Sequence, residues 1–175
     1  DRALDRGNLR KASALLDEAG WEVGSDGMRR NAKGELLTVE FLEDSPSFER
    51  VITPYVENLR ALGVDAKLTL VDPAQMSQRS DPPNFDFDMI VGSAVNSYEP
   101  GGEMKQSYAS VTAGNSTRNR AGLADPAVDR LVDIVEAAKT REELDVATRA
   151  LDRVLRHTRF WVPQWYKRVH TVAYY

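Results

Sequence analysis

Two carboxylates, Asp86 and Asp88, alternate along the stretch FDFDMIVG, so on an extended backbone both point to the same side. Such a pair can hold a cation. It can equally serve structure, with Asp86 flanking a strand start and Asp88 satisfying nearby backbone. Just downstream, Ser93, Asn96, Ser97, Tyr98 and Glu99 bring short polar groups, one ring and one anion into a single segment. These groups suit a peptide backbone. In open α/β sheets, ligands collect beyond the carboxyl ends of strands, which is where a strand over 87–91 delivers this segment. The end of the chain carries Trp161, Trp165, Tyr166, Lys167 and Arg168. Aromatic and basic residues together can form a stacking platform for single-stranded nucleic acid. The competing readings are a buried strand with one ring face in the core, or a ligand-facing aromatic pair.

Other chemistry is missing from the sequence. His157 and His170 lie far apart with no carboxylate pattern around them, and both read as surface or strand residues. Gly101-Gly102 with Lys105 lacks the spacing of a phosphate-binding loop, and neither a G-x-G-x-x-G nor a G-x-S-x-G motif occurs. Cysteine is absent, which excludes disulfides, thiolate metal sites and a thiol nucleophile. No nucleophile–base pairing emerges, so the expectation is no enzyme, no metal and no cofactor. Net charge is −4, from 23 basic and 27 acidic residues, without the basic excess of a nucleic-acid binder.

These groups need a scaffold, and the 175 residues, 42% of them hydrophobic, are enough for a real core. The apolar runs are only a few residues long, Met89 to Val91 among them, so no membrane span is expected. The start, DRALDRGNLR, lacks a basic-then-apolar leader, and the end, VHTVAYY, reads as a strand cut mid-course.

Leu9, Ala12, Leu15, Leu16 and Ala19 predict a first helix, capped by Asn8 and stopped by Gly20. The turns Asp26-Gly27 and Lys33-Gly34 bracket a hairpin whose second strand covers 35–43. On that strand Leu37, Val39 and Phe41 share one face, and Thr38, Glu40 and Leu42 share the other. Ser45-Pro46 opens a helix with an apolar stripe from Phe48 to Leu62, interrupted by Pro54 and ended by Gly63. A strand over 64–71 then completes a βαβ unit. Asp72-Pro73 opens a short helix reaching about Ser80, and 87–91 is a further strand. Residues 92–122 lack periodicity and read as a long loop of the kind that carries function or is locally disordered. Two helices follow, capped by Asp125 and by Thr140 with Glu143. The expected fold class is α/β: a mixed β-sheet with helices packed on it, in a single domain over 1–175.

Seven short motifs run in order along nearly the whole chain: LLDEAGW (15–21), DGMRRNAKGELLTVEF (26–41), LGV (62–64), FDM (87–89), NRAGLADPAVDRLV (119–132), LDRVL (151–155) and VPQWY (162–166). In this the chain resembles the C-terminal lobe of ABC-transporter extracellular solute-binding proteins, family 5. SYEPGGEM (97–104), followed by N-x-x-G-x-x-D-P-x-V-D (119–129), is most similar to the oligopeptide and microcin C binding subgroup.

The resemblance implies one lobe of a type II-like periplasmic binding protein, a fragment of a larger two-lobed receptor whose N-terminal lobe is missing here. It implies a periplasmic, membrane-associated receptor that closes on a peptide or oligopeptide and delivers it to the membrane permease of an ABC importer. It also implies site residues. In peptide-binding relatives an Asp of the 92–99 loop pairs with the ligand's α-ammonium. This sequence has Asn96 and Ser97 near that position, and Glu99 is the substitute. Arg79 matches an arginine that can meet a ligand carboxylate, the alternative being a solvated arginine at a helix end. Trp165 and Tyr166 resemble an aromatic pair that reaches the cleft. Asn119 reads as the residue fixing the loop before Asp125. The alternatives to a peptide receptor are sugar or nickel-chelate cargo in the same family, and a hydrolytic or other α/β enzyme with its site in the 92–122 loop.

Overall fold

The computed structural model describes residues 6–93 and 99–165. The chain divides into two compact units, residues 1–95 and 96–175.

The first unit begins with helix α1, Arg6–Glu18; Asn8 lies inside it and not at its cap. Gly20 adopts φ +84°, and the Gly20 and Trp21 N–H groups donate to the Asp17 and Leu16 carbonyls at 3.0 and 2.9 Å. This is the left-handed closure that glycine permits. Strands β1 (Glu22–Val23) and β2 (Arg29–Arg30) form an antiparallel hairpin across Asp26-Gly27. This corrects the expected hairpin: among the described residues the stretch 35–43 meets β2 through the isolated Arg30–Leu36 bridge, and its later residues pair in parallel instead. Strand β3 (Thr38–Glu43) leads into helix α2 (Pro46–Ala61), which continues through Pro54, and strand β4 (Asp65–Leu70) returns parallel to β3. The βαβ unit is therefore present. Helix α3 (Pro73–Ser80) starts on Asp72, whose carboxylate accepts from the Gln75 N–H at 2.9 Å. Strand β5 (Met89–Ile90) pairs parallel to β3 with Met89 opposite Phe41, giving the order β4-β3-β5. The helix-and-sheet class is as expected; the described strands divide between the antiparallel hairpin and this parallel sheet.

The face of β3 that carries Val39 and Phe41 builds the core. Phe41, Ile52, Val56, Val64 and Ala66 are buried together, and the Tyr55 ring meets Phe41 edge-on, centroids 5.6 Å apart. On the other face Leu42 is fully buried and Glu40 is largely covered.

The second unit corrects the reading of 92–122 as a loop. Helix α4 (Gly102–Tyr108) and a 3-10 turn at Ser110–Thr112 lie within it. The helix has only Met104 and Tyr108 as its large apolar side chains, too few for a period to be read, yet both pack on the core of this unit. Helices α5 (Pro126–Ala137) and α6 (Arg141–Thr158) supply the rest of that core: Val128, Val132, Val135, Ala147 and Leu151. Asp125 and Thr140 cap them as expected, the latter with Glu143 in a full capping box. Residues 159–165 form no strand, and Trp161 and Trp165 are exposed, which corrects the buried-strand reading for this stretch. The remainder of the aromatic segment, 166–175, lies outside the described residues.

Candidate functional site

A charged cluster sits on the Glu40 face of the parallel sheet. Arg79, near the end of α3, donates from Nη2 to Glu40 Oε2 and from Nε to Asp86 Oδ2, both at 2.7 Å. Glu40 Oε1 accepts from Thr69 Oγ1 at 2.6 Å and faces Lys67 Nζ at 3.4 Å. The parallel register explains the neighbours: Glu40 stands opposite Lys67, and Leu42 opposite Thr69. Asp88 takes the structural role, its Oδ2 accepting from the Glu40 N–H at 2.8 Å. Asp86 is spent on Arg79. Among the described residues no group of three or more metal-ligating side chains gathers.

Bonding to Arg79, then to Thr69, holds the Glu40 carboxyl well below the usual range, at about 2. Three residues on, Glu43 behaves oppositely. It is 4% exposed, its Oε1 accepts from the Ser45 N–H at 3.1 Å, and its Oε2 is buried without a partner among the described residues, so burial raises its pKa. The two carboxyls give opposite pH signs. Glu40 is depressed on folding, so its contribution is complete above 4.5 and is lost as pH falls from 4.5 toward 2. Glu43 is raised, so its contribution is present in acid and lost as pH rises through its folded pKa. Denaturant titrations of the Glu40→Gln variant and the parent should differ by about 1–3 kcal/mol at neutral pH, the range allowing for solvent screening, and converge near pH 2. A gap that persists unchanged at pH 2 would exclude the charge as its cause.

The sequence-predicted site residues fall in different places. Arg79 and Ser93 belong to the first unit, Glu99 and Trp165 to the second. Ser93 is exposed just beyond β5, where the strand hands over to the polar segment, and Glu99 is also exposed. Asn96, Ser97, Tyr98 and Tyr166 lie outside the described residues. Arg79 is not a solvated helix-end arginine: it is 25% exposed and doubly paired. Sequence reasoning placed Glu40 on the correct face but missed it as Arg79's partner. A lone acid in the middle of a parallel strand was the available signal.

Residues 1–116 match the description "Bacterial extracellular solute-binding proteins, family 5 Middle". The chain belongs to the bacterial extracellular solute-binding proteins, family 5. Among curated relatives, this family-5 chain is 40% identical over 176 residues to a probable peptide-binding protein, YejA, of Agrobacterium fabrum, covering 100% of the chain and 28% of that protein. It spans about a quarter of the length of the curated relatives it matches. Two solved structures show the same fold. The oligopeptide-binding protein AppA of Bacillus subtilis, in complex with a nonapeptide, aligns at a TM-score of 0.77 with 19% identity, over 86% of this chain and 30% of that one. NikZ of Campylobacter jejuni, in complex with Ni(L-His), aligns at 0.71 with 19% identity, over 87% and 30%. The family is one of solute binders, and among the described residues no helix is long and apolar enough to cross a membrane.

Proposed function

We propose that this chain is the ligand-binding lobe of a two-lobed receptor for peptides or oligopeptides, which hands its cargo to the permease of an ABC importer and catalyses no reaction. The observation that carries the reading is the end-to-end match to a relative named as a probable peptide-binding protein. The receptor works in the periplasm, and the other lobe completes the cleft. In this reading Arg79 meets the peptide's carboxylate. Ser93, Asn96, Ser97 and Tyr98 address its backbone, and Glu99 takes its α-ammonium. Trp165 and Tyr166 provide apolar walls. Small polar side chains grip what all peptides share, so such a site suits cargo of varied sequence.

Calorimetry on the two-lobed receptor with tetraalanine tests the proposal. Binding by the whole receptor, with little by this chain alone, is the expected result, since one lobe presents half a cleft. The likeness to a nickel–histidine binder favours a second reading with metal-chelate cargo. Heat released by Ni(L-His) and none by tetraalanine would move the assignment there and retire the peptide roles of Arg79 and Glu99.

A further inference from the structure

We propose that the two carboxylates on Arg79 act in opposite directions on ligand capture: Glu40 positions the guanidinium, and Asp86 competes with an arriving carboxylate. The inference rests on the reading of Arg79 as the ligand-carboxylate anchor.

Both acids lie 2.7 Å from the guanidinium, yet their settings differ. Glu40 is 17% exposed and belongs to the central strand. Its carboxylate also accepts from Thr69 and faces Lys67, while its own N–H is held by Asp88. It cannot turn away from Arg79 without breaking the Thr69 bond as well. Asp86 is 70% exposed, and among the described residues its side chain has Arg79 alone as partner. An ion pair so open to water is weak, so an incoming carboxylate can displace it. Until displaced, Asp86 occupies Nε and adds a negative charge where the ligand's own must arrive. Arginine recognises carboxylates best through paired N–H groups held in a fixed plane. Glu40 fixes that plane from the buried side. Without it, the long side chain regains rotamer freedom and can close on Asp86.

Coulomb's law alone gives both acids the same sign, since removing either negative charge strengthens binding of an anion. Positioning reverses the sign for Glu40. This separates the inference from general electrostatics.

The experiment uses the two-lobed receptor, with tetraalanine as free acid and as C-terminal amide, both measured by calorimetry. The parent should prefer the acid, and Arg79→Gln should erase the preference. Glu40→Gln should cut the acid-to-amide affinity ratio by about tenfold, and Asp86→Asn should raise it by about threefold, the scale of one charge-assisted bond. Affinity for the amide, which lacks the charge that Arg79 reads, should stay within about twofold in Glu40→Gln and Asp86→Asn. Glu40→Asp, which keeps the charge, should restore part of the ratio. If Glu40→Gln and Asp86→Asn both raise the ratio, the inference fails while the anchor role stands. If Glu40→Gln weakens acid and amide alike, its role is structural and the inference fails. If Arg79→Gln leaves the preference intact, or the parent shows no preference or no binding, the anchor reading itself fails.

Discussion

Replacing Arg29 with alanine should lower the unfolding free energy of the first unit by about 3–5 kcal/mol. Arg29 is 1% exposed, and its guanidinium is bonded on every nitrogen. Nε donates to the Leu62 carbonyl at 2.6 Å, Nη1 to Asp17 Oδ1 at 2.6 Å and to the Trp21 carbonyl at 2.5 Å, and Nη2 to Ser13 Oγ at 2.6 Å. One side chain thus ties α1, the turn after it and the carboxyl end of α2 to the hairpin. Truncation strands acceptors at all three places and opens a void. The main chain reinforces the joint, because the Arg29 N–H donates to the Gly63 carbonyl at 2.7 Å. Gly63 itself has φ +86°, and a Cβ there would lie 2.5 Å from the Gly27 carbonyl oxygen, so no other residue fits without a shift.

Two controls sharpen this expectation. Asp17 is 54% exposed, so Asp17→Asn should cost about 1 kcal/mol or less. If it matched Arg29→Ala, the ion pair and not the carbonyl bonds would carry the effect. Arg29→Lys should recover little, since a single ammonium cannot reach acceptors spread around a planar fork. An Arg29→Ala loss below about 1 kcal/mol, read from denaturant unfolding, would mean that water replaces the guanidinium and that the joint is not specific.

Nothing in the sequence marks Arg29. It stands in an Arg-Arg pair after a turn, on a two-residue strand too short to show alternation, and its partners are scattered from Ser13 to Leu62. Its carbonyl acceptors leave no pattern, because backbone is common to every residue type, and its side-chain acceptors, Ser13 and Asp17, stand on another element. The Glu40–Arg79 pair was half legible for a related reason. Alternation on β3 assigned Glu40 its face, but only the order β4-β3-β5 and the placement of α3 bring Arg79 to it. What could be read was local: the proline-led starts after Ser45, Asp72 and Asp125, the Thr140–Glu143 box and the βαβ period all persist. For the candidate site, residue type alone recommended the polar 93–99 segment. Which residues would face that segment is a matter of long-range geometry that spacing does not encode.

The second large effect separates a structural polar residue from a ligand-binding one. Asn119 opens a motif beside a candidate binding segment, and a polar residue there invites a ligand role. The structure assigns it to the fold. It is 2% exposed, its Nδ2 donates to the Leu123 carbonyl at 3.0 Å and to Ala109 O and Thr112 Oγ1 at 3.3 Å, and its Oδ1 accepts from the Leu123 N–H at 2.9 Å. The amide therefore clamps the turn before α5 to the segment that follows α4, as its place ahead of the Asp125 cap suggested. Asn119→Ala should cost the second unit about 2–4 kcal/mol, from several bonds lost and buried backbone left unpaired. Asn119→Asp should cost more, since a carboxylate oxygen would replace the donor that faces carbonyl oxygens at Ala109 and Leu123. The measurement is amide exchange at Leu123 and along α5, where opening should speed up by about 30-fold or more. At temperatures where the variant stays folded, the acid-to-amide preference for tetraalanine should remain at the parent value. Unchanged exchange with a lost preference would reverse the assignment and place Asn119 among the residues that read the ligand.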